Sequence, residues 1–388
     1  LGHMISEKLN NFINQKKCTL LCAGPMSKNF VDTCIEYSNQ KNFPFMLIAS
    51  RRQIDAEQFG GGYVNNWSTE TFSRYVKKKS KKKIILCRDH GGPYQGAQTS
   101  NKESLIKEEM QNAKISFKAD IDNNFEMIHL DPSLNLGKNP FKKSIDRLFE
   151  LYDYCWSYAK KTKKKIAFEI GTEEQNGSTN SPEELELTLE LTKKFCQKNK
   201  IDMPTFVVVQ SGTLVKEMTN VGTFDLPFRI ENQLPAEISV PQMIRICDKY
   251  KVMMKAHNCD YLSNTALQYH PKLGIHAVNI APEFGVIESK SIYEILKNNN
   301  LTNLLNNFLN LSYNSNKWNK WMKKNSNATR KEKSLISGHY VFATDEFQHI
   351  YSEAKIFLKK KKINLDKMIK KELTKSIDRY VKNLGIEK

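Results

Sequence analysis

Eight short apolar runs recur along the chain, at 19–24, 45–50, 84–90, 127–131, 166–171, 205–212, 252–258 and 274–282. Each is rich in Ile, Val, Leu and Met without strict apolar/polar alternation, the pattern of strands buried on both faces. The intervals hold helix-period segments, which we place at 30–39, 69–77, 100–112, 141–161, 181–199, 242–249, 262–270 and 289–298. Ser181-Pro182-Glu183-Glu184 supplies a capping serine, a first-turn proline and a glutamate three residues on; Ser68 before Thr69-Glu70-Thr71 is similar. Strand and helix alternating in this way predict an α/β fold, a closed (β/α)8 TIM barrel over residues 5–300, rather than an open sheet. The Asn-rich stretch 298–307 suits a boundary. Helical periodicity at 347–358 and 365–384 then predicts a helical extension over 301–388, folding back onto the barrel or onto a second subunit of a homo-oligomer. Leu1-Gly2-His3 reads as an expression-tag remnant ahead of Met4.

Nearly every run ends in polar residues, and in such barrels the working groups sit at the C-terminal strand ends. His90, Glu169 and His257 end runs three, five and seven, on alternate strands that converge on the barrel axis. They are the candidate ligands of a divalent metal, Zn2+ foremost, with Mn2+ or a similar ion as alternatives. A carboxylate ending an apolar strand, as Glu169 does, is costly to bury unless paired or metal-bound. Asp89 stands beside His90 and can move a proton there, while Glu173 and Glu174 lie in a loop able to swing over the site. Gln210, Ser211, Gly212, Asn258 and Asn279 offer amide, hydroxyl and backbone donors for a substrate, and Asp131 ends the fourth run. Gly61, in the Gln58–Tyr63 glycine run, marks a ligand-contacting loop or lid. Among the remaining histidines, His129 and His339 are the exceptions to a structural role.

Composition narrows the setting. The formal charge of +18 and the lysine runs at 77–83, 160–165 and 359–362 invite a nucleic-acid reading. Those lysines fall on helix ends and loops with few interleaved aromatics, so the charge is better suited to steering an anionic substrate. No apolar stretch reaches the roughly 20 residues that span a bilayer, and a cytoplasmic location is expected. The eight cysteines form no C-x-x-C pair and are expected as reduced, buried thiols; Cys259, next to His257-Asn258, is the one with a possible reactive role.

Over residues 10–345 the chain resembles the class II ketose-bisphosphate aldolases, most closely the group of the non-catalytic large subunit of D-tagatose-bisphosphate aldolase. The resemblance rests on Gln58-Phe59-Gly60-Gly61, Asp89-His90-Gly91-Gly92-Pro93, His129-Leu130-Asp131, Glu169-Ile170-Gly171-Thr172-Glu173, Val208-Val209-Gln210-Ser211-Gly212 and His257-Asn258-Cys259-Asp260-Tyr261. It implies Asp89 as proton-transfer acid, His90 and His257 as zinc ligands, Glu169 as a residue that orders or binds metal, and Glu173 or Glu174 as a proton carrier. Two departures stand out. Gln210 occupies the place of a zinc-binding histidine, and Asn258-Cys259-Asp260 replaces a glycine-rich phosphate signature. The implied activity is a metal-dependent epimerase of a ketose phosphate or related acidic ketose, working through a metal-stabilised enediolate or retro-aldol intermediate. The alternatives are a class II ketose-phosphate aldolase and a non-catalytic subunit that stabilises a small aldolase chain.

Overall fold

The computed structural model describes residues 3–82, 84–97, 105–172, 181–225 and 235–387. Its strands are β1 (Leu20–Ala23), β2 (Phe45–Ser50), β3 (Ile84–Gly91), β4 (Met127–Leu130), β5 (Ala167–Ile170), β6 (Phe206–Val209), a small hairpin of β7 (Val215–Lys216) and β8 (Thr219–Asn220), then β9 (Met253–Ala256) and β10 (Ala277–Ile280). Its helices are α1 (His3–Lys16), α2 (Lys28–Gln40), α3 (Thr69–Lys79), α4 (Ile106–Asp122), α5 (Pro140–Lys161), α6 (Pro182–Asn199), α7 (Ala236–Tyr250), α8 (Asn264–Leu273) and α9 (Pro282–Asn298). After them come α10 (Thr302–Asn314), α11 (Arg330–Ser337), α12 (Asp345–Lys360) and α13 (Leu365–Asn383).

All strands but β7 and β8 pair in parallel and close into one barrel, in the order β1-β10-β9-β6-β5-β4-β3-β2. This is the (β/α)8 barrel that the apolar runs predict. Each strand has an inner and an outer apolar face, which is why its sequence shows no alternation. Inward-facing Leu20, Cys22, Met46, Ile48, Cys87 and Phe206 belong to an inner cluster, while Leu21, Leu47, Ile128, Phe168 and Val207 pack outward beneath the helices. Ser68 and Ser181 cap α3 and α6, the former with a full capping box.

The floor of the barrel is closed by a helix absent from the sequence-based expectation. α1 inserts Ile5, Leu9 and Ile13, spaced one turn apart, into the inner cluster, and Ser6 hydrogen-bonds Thr205 ahead of β6. Leu9 is fully buried, and Leu9→Ala should cost about 2–5 kcal/mol, read as an earlier urea midpoint with an unchanged slope.

Several further boundaries differ from the expectation, α7 among them, which starts at Ala236 and not at 242. α4 runs on to Asp122 because Phe117 and Ile121 continue its buried face. α9 starts at Pro282, a proline suited to a first turn. The Asn-rich stretch expected as a boundary enters α10, where Leu304, Leu305 and Phe308 are buried and packing overrides the weak propensity of asparagine.

The extension folds back onto its own barrel. α13 packs against α2, α8 and α9, Tyr380 donates to Glu283, and Tyr37 donates to Asp378 at 2.7 Å. No helix among the described residues is long and apolar enough to cross a membrane.

Candidate active site

Two adjacent residues of a regular strand point to opposite faces, so Asp89 and His90 could not both reach the barrel axis from an ideal β3. The strand solves this with a bulge. Its register against β4 shifts between Arg88 and Gly91, and His90 takes a left-handed φ of 44°. Behind the bulge, the fully buried Arg88 faces outward and anchors the strand. Its Nη2 lies 2.6 Å from Asp120 of α4, and its Nη1 donates to the carbonyls of Ala49 and Ile54. Gly91 and Gly92 follow because a Cβ at either would collide with the backbone of the next strand, 2.7 Å from the His129 carbonyl and 2.0 Å from that of Asp131.

Four side chains from four strands meet at the axis. One donor atom each from Asp89, His129, Glu169 and His257 lies within 4.8 Å of the others. His257 Nε2 is 3.2 Å from Glu169 Oε1 and 3.8 Å from Asp89 Oδ1, while His129 Nδ1 is 3.5 Å from Asp89 Oδ1 and 3.6 Å from Glu169 Oε1. Bonds of about 2.0–2.2 Å from one ion require neighbouring donors at about this spacing, and two imidazoles with two carboxylates suit a borderline divalent cation. The residues therefore fit a metal. Among the described residues His257 Nδ1 and Asn279 Oδ1 are buried there without a hydrogen-bond partner, which leaves polar capacity at the site unused.

Charge explains how two carboxylates tolerate this depth. Burial would raise the Asp89 carboxyl, but His90, His129 and His257 hold it well below the usual range. Glu169 is likewise opposed by burial, yet Lys255 and the histidines bring it down to about 2. Lys255, two residues before His257 on β9, shares its inward face and donates to Glu169 Oε2 at 2.6 Å, both side chains being 1% exposed. Sequence reasoning passed over Lys255, although a lone lysine inside Val252–Ala256 is a signal: a buried ammonium demands a paired acid.

His90 adjoins this cluster and, with His129 and Asp131, forms a second group whose donor atoms lie within 4.8 Å of one another. Its Nδ1 donates to Asp131 Oδ2 at 2.6 Å, its backbone N–H donates to His129 Nδ1, and 37% of its side chain is exposed against 13% for Asp89. Although that ring still meets solvent and its buried part disfavours charge, Asp89 and Asp131 raise its pKa to about 9. A raised pKa contributes stability that is full below pH 6.5 and fades as pH climbs through 9. In metal-free protein Asp131→Asn should flatten that pH dependence and bring the His90 titration, followed by NMR, down toward 6.5.

The cluster opens into a cleft of about 860 Å3 whose lining includes Gly61, Asp89, His90, His257, Asn258 and Asn279. An adjoining cavity of about 320 Å3 exposes His129 and Asp131. Asn279 also donates to Asp89 Oδ1 at 3.2 Å. Of the residues expected to contact a substrate, Gln210, Ser211 and Gly212 line neither space. Ser211 pairs with Thr213, whose hydroxyl donates to the His257 carbonyl at 2.5 Å, so this turn buttresses the strand end. Glu173 and Glu174 lie outside the described residues. Cys259 is buried and its thiol is pushed far up by desolvation, which removes it as a thiolate nucleophile. The other seven cysteines are buried and unpaired as expected. His339 packs on Gly285, and neither ring nitrogen has a hydrogen-bond partner among the described residues.

The cleft differs from many barrels in one respect. The N-terminus of the helix after the last strand is already filled: Asp260 Oδ1 accepts the backbone N–H groups of Ala281 at 3.0 Å and Glu283 at 2.9 Å.

No family model and no curated protein matches the sequence. Solved structures do share its fold. A probable tagatose 6 phosphate kinase from Sinorhizobium meliloti 1021 superposes with a TM-score of 0.72 at 14% identity, covering 94% of this chain and 100% of that one. A fructose-bisphosphate aldolase from Campylobacter jejuni gives 0.57 at 12%, over 98% and 94%. A fructuronate-tagaturonate epimerase from Cohnella laeviribosi gives 0.57 at 10%, over 95% and 81%.

Proposed function

We propose that this barrel is a divalent-metal enzyme acting on a ketose phosphate or a related acidic ketose, with epimerisation as its reaction. The observation that carries the reading is the four-donor cluster at the floor of a cleft wide enough for a sugar. The names of two fold neighbours, a ketose-bisphosphate aldolase and an epimerase of acidic ketoses, belong to chemistry that such a site serves.

Asp89, Glu169 and His257 would hold the ion, Zn2+ foremost, with Mn2+ or a similar ion as alternatives, and His129 would join them on giving up the His90 N–H that its Nδ1 accepts. Lewis-acid stabilisation of negative charge on a substrate oxygen is the chemistry it supplies when bound. The remaining work falls to the chain. Lys255 ties up one oxygen of Glu169, so that Oε1 alone faces the cluster, and Asn279 steadies Asp89. The proton carrier we assign is His90 rather than Asp89. Asp131 holds its Nδ1, leaving Nε2 to give or take a proton at a carbon in the cleft. This reverses the division expected from the resemblance, in which His90 binds metal and Asp89 moves protons. Epimerisation is favoured over cleavage of a bisphosphate because Asp260 fills the helix end that a second phosphate would need.

The test is direct. Protein purified without chelator should carry close to one divalent ion per chain and, incubated in D2O with tagatose 6-phosphate, fructose 6-phosphate or fructuronate, should give an epimer with altered proton and carbon NMR signals. Formation of triose fragments would make it an aldolase. A metal-free, inert protein would remove the enzymatic reading and favour the stabilising-subunit alternative.

A further inference from the structure

Among the described residues, the mouth of the cleft carries positive charge that no carboxylate neutralises. Arg52, just beyond β2, and Lys317 and Lys320, between α10 and α11, line the same space as Asp89 and His257. Among the described residues none of the three has a carboxylate partner. Lys320 is nonetheless held in place. Its ammonium lies 4.9 Å from the Trp321 ring and 5.1 Å from the Tyr340 ring, and Trp321 Nε1 donates to the Tyr340 hydroxyl at 3.2 Å. The segment is pinned in turn to the β7–β8 hairpin, since Lys216 Nζ donates to the Lys320 carbonyl at 2.8 Å and the Glu217 N–H to that of Trp321 at 2.6 Å. Crowding by the cleft walls, and then the charge of Arg52, push the Lys320 ammonium down to about 8 even though the side chain still reaches solvent. Two cations that line one cavity repel each other, and an anion between them would relieve that repulsion.

Across the cleft the usual alternative is closed. In barrels a phosphate commonly sits on the N-terminus of a helix near the last strands. Here the Ala281 and Glu283 N–H groups already belong to Asp260, and Glu283 adds an acid in the first turn.

We propose that the anionic end of the ligand, a terminal phosphate or carboxylate, is bound by Arg52 and Lys320 at the cleft mouth and not by the N-terminus of α9. Placing its other end over the Asp89–His257 cluster rests on the proposed function, whereas the anion site itself does not. The ligand would then span the cleft, with its charge at the rim and its reacting carbons at the floor.

Titration calorimetry on metal-free protein tests this without turnover. Inorganic phosphate is the first probe, and fructose 6-phosphate, fructuronate and fructose follow. The side chains of Arg52 and Lys320 reach solvent, so Arg52→Gln and Lys320→Gln should fold normally, and Lys198→Gln on α6 serves as control. Each cleft variant should weaken phosphate by about 10-fold or more, the scale of a charge-assisted hydrogen bond, and the double variant should lose it. The control should bind as wild type does. A larger loss for fructose 6-phosphate than for fructuronate identifies a phosphate site, the reverse a carboxylate site, and fructose should be indifferent. Unchanged phosphate and fructuronate affinity in the double variant overturns the proposal, as does a wild type that binds neither. Normal anion binding in a protein that converts no ketose would leave this site standing and sink the proposed activity alone.

Discussion

Lys255→Met should lower the unfolding free energy by about 3–5 kcal/mol at neutral pH, because it strands the Glu169 carboxylate in the barrel without its counter-charge. That is a large share of the roughly 5–15 kcal/mol of a typical domain. Urea titration reads it directly. The pH dependence carries the diagnosis. Glu169 is held near 2 against an ordinary 4.5, so its contribution is present above pH 4.5 and is lost as pH falls toward 2. The gap between wild type and variant should therefore be widest above pH 4.5 and narrow in acid. Adding Glu169→Gln to Lys255→Met removes the stranded charge and should recover most of the loss. Equal instability of single and double variants would mean that lost packing, not charge, governs the site.

His257→Ala and His90→Gln should fail in different ways. Without His257 the cluster keeps three donors, and metal content measured after dialysis should drop from near one per chain toward zero, with turnover lost alongside it. Without His90 all four donors remain. Metal content should stay near one while kcat falls by about 10²–10⁴-fold, the scale of general acid-base catalysis. Loss of metal in His90→Gln would return His90 to the ligand set and make Asp89 the proton carrier again.

The contrast between these residues shows what a single chain reveals. The barrel was legible because each strand is apolar on both faces, and a run of such residues has few other homes. The strand ends were legible because polar groups closing apolar runs are costly unless used. Asp89, Glu169 and His257 were found that way and meet in space. The division of roles that we propose for Asp89 and His90 could not be read from the sequence, since it depends on a bulge and one left-handed φ that no residue type announces. His129 was singled out from the other histidines but not placed among the ligands, because it lies mid-run, and Lys255 was masked by the apolar residues around it. α1 went unseen for a related reason. Its Ile5, Leu9 and Ile13 form a narrow stripe, and its worth comes from the barrel floor it fills rather than from the helix alone.

With α1 packed into the barrel floor, the cluster meets solvent through the cleft above it. A sugar in that cleft would lie between the cluster and solvent. An ion seated at the bottom would be trapped for as long as a sugar lies above it. Chelators should then strip metal quickly from the free protein and slowly from one saturated with ligand. Occupancy of the upper compartment would thus govern the lifetime of the lower one.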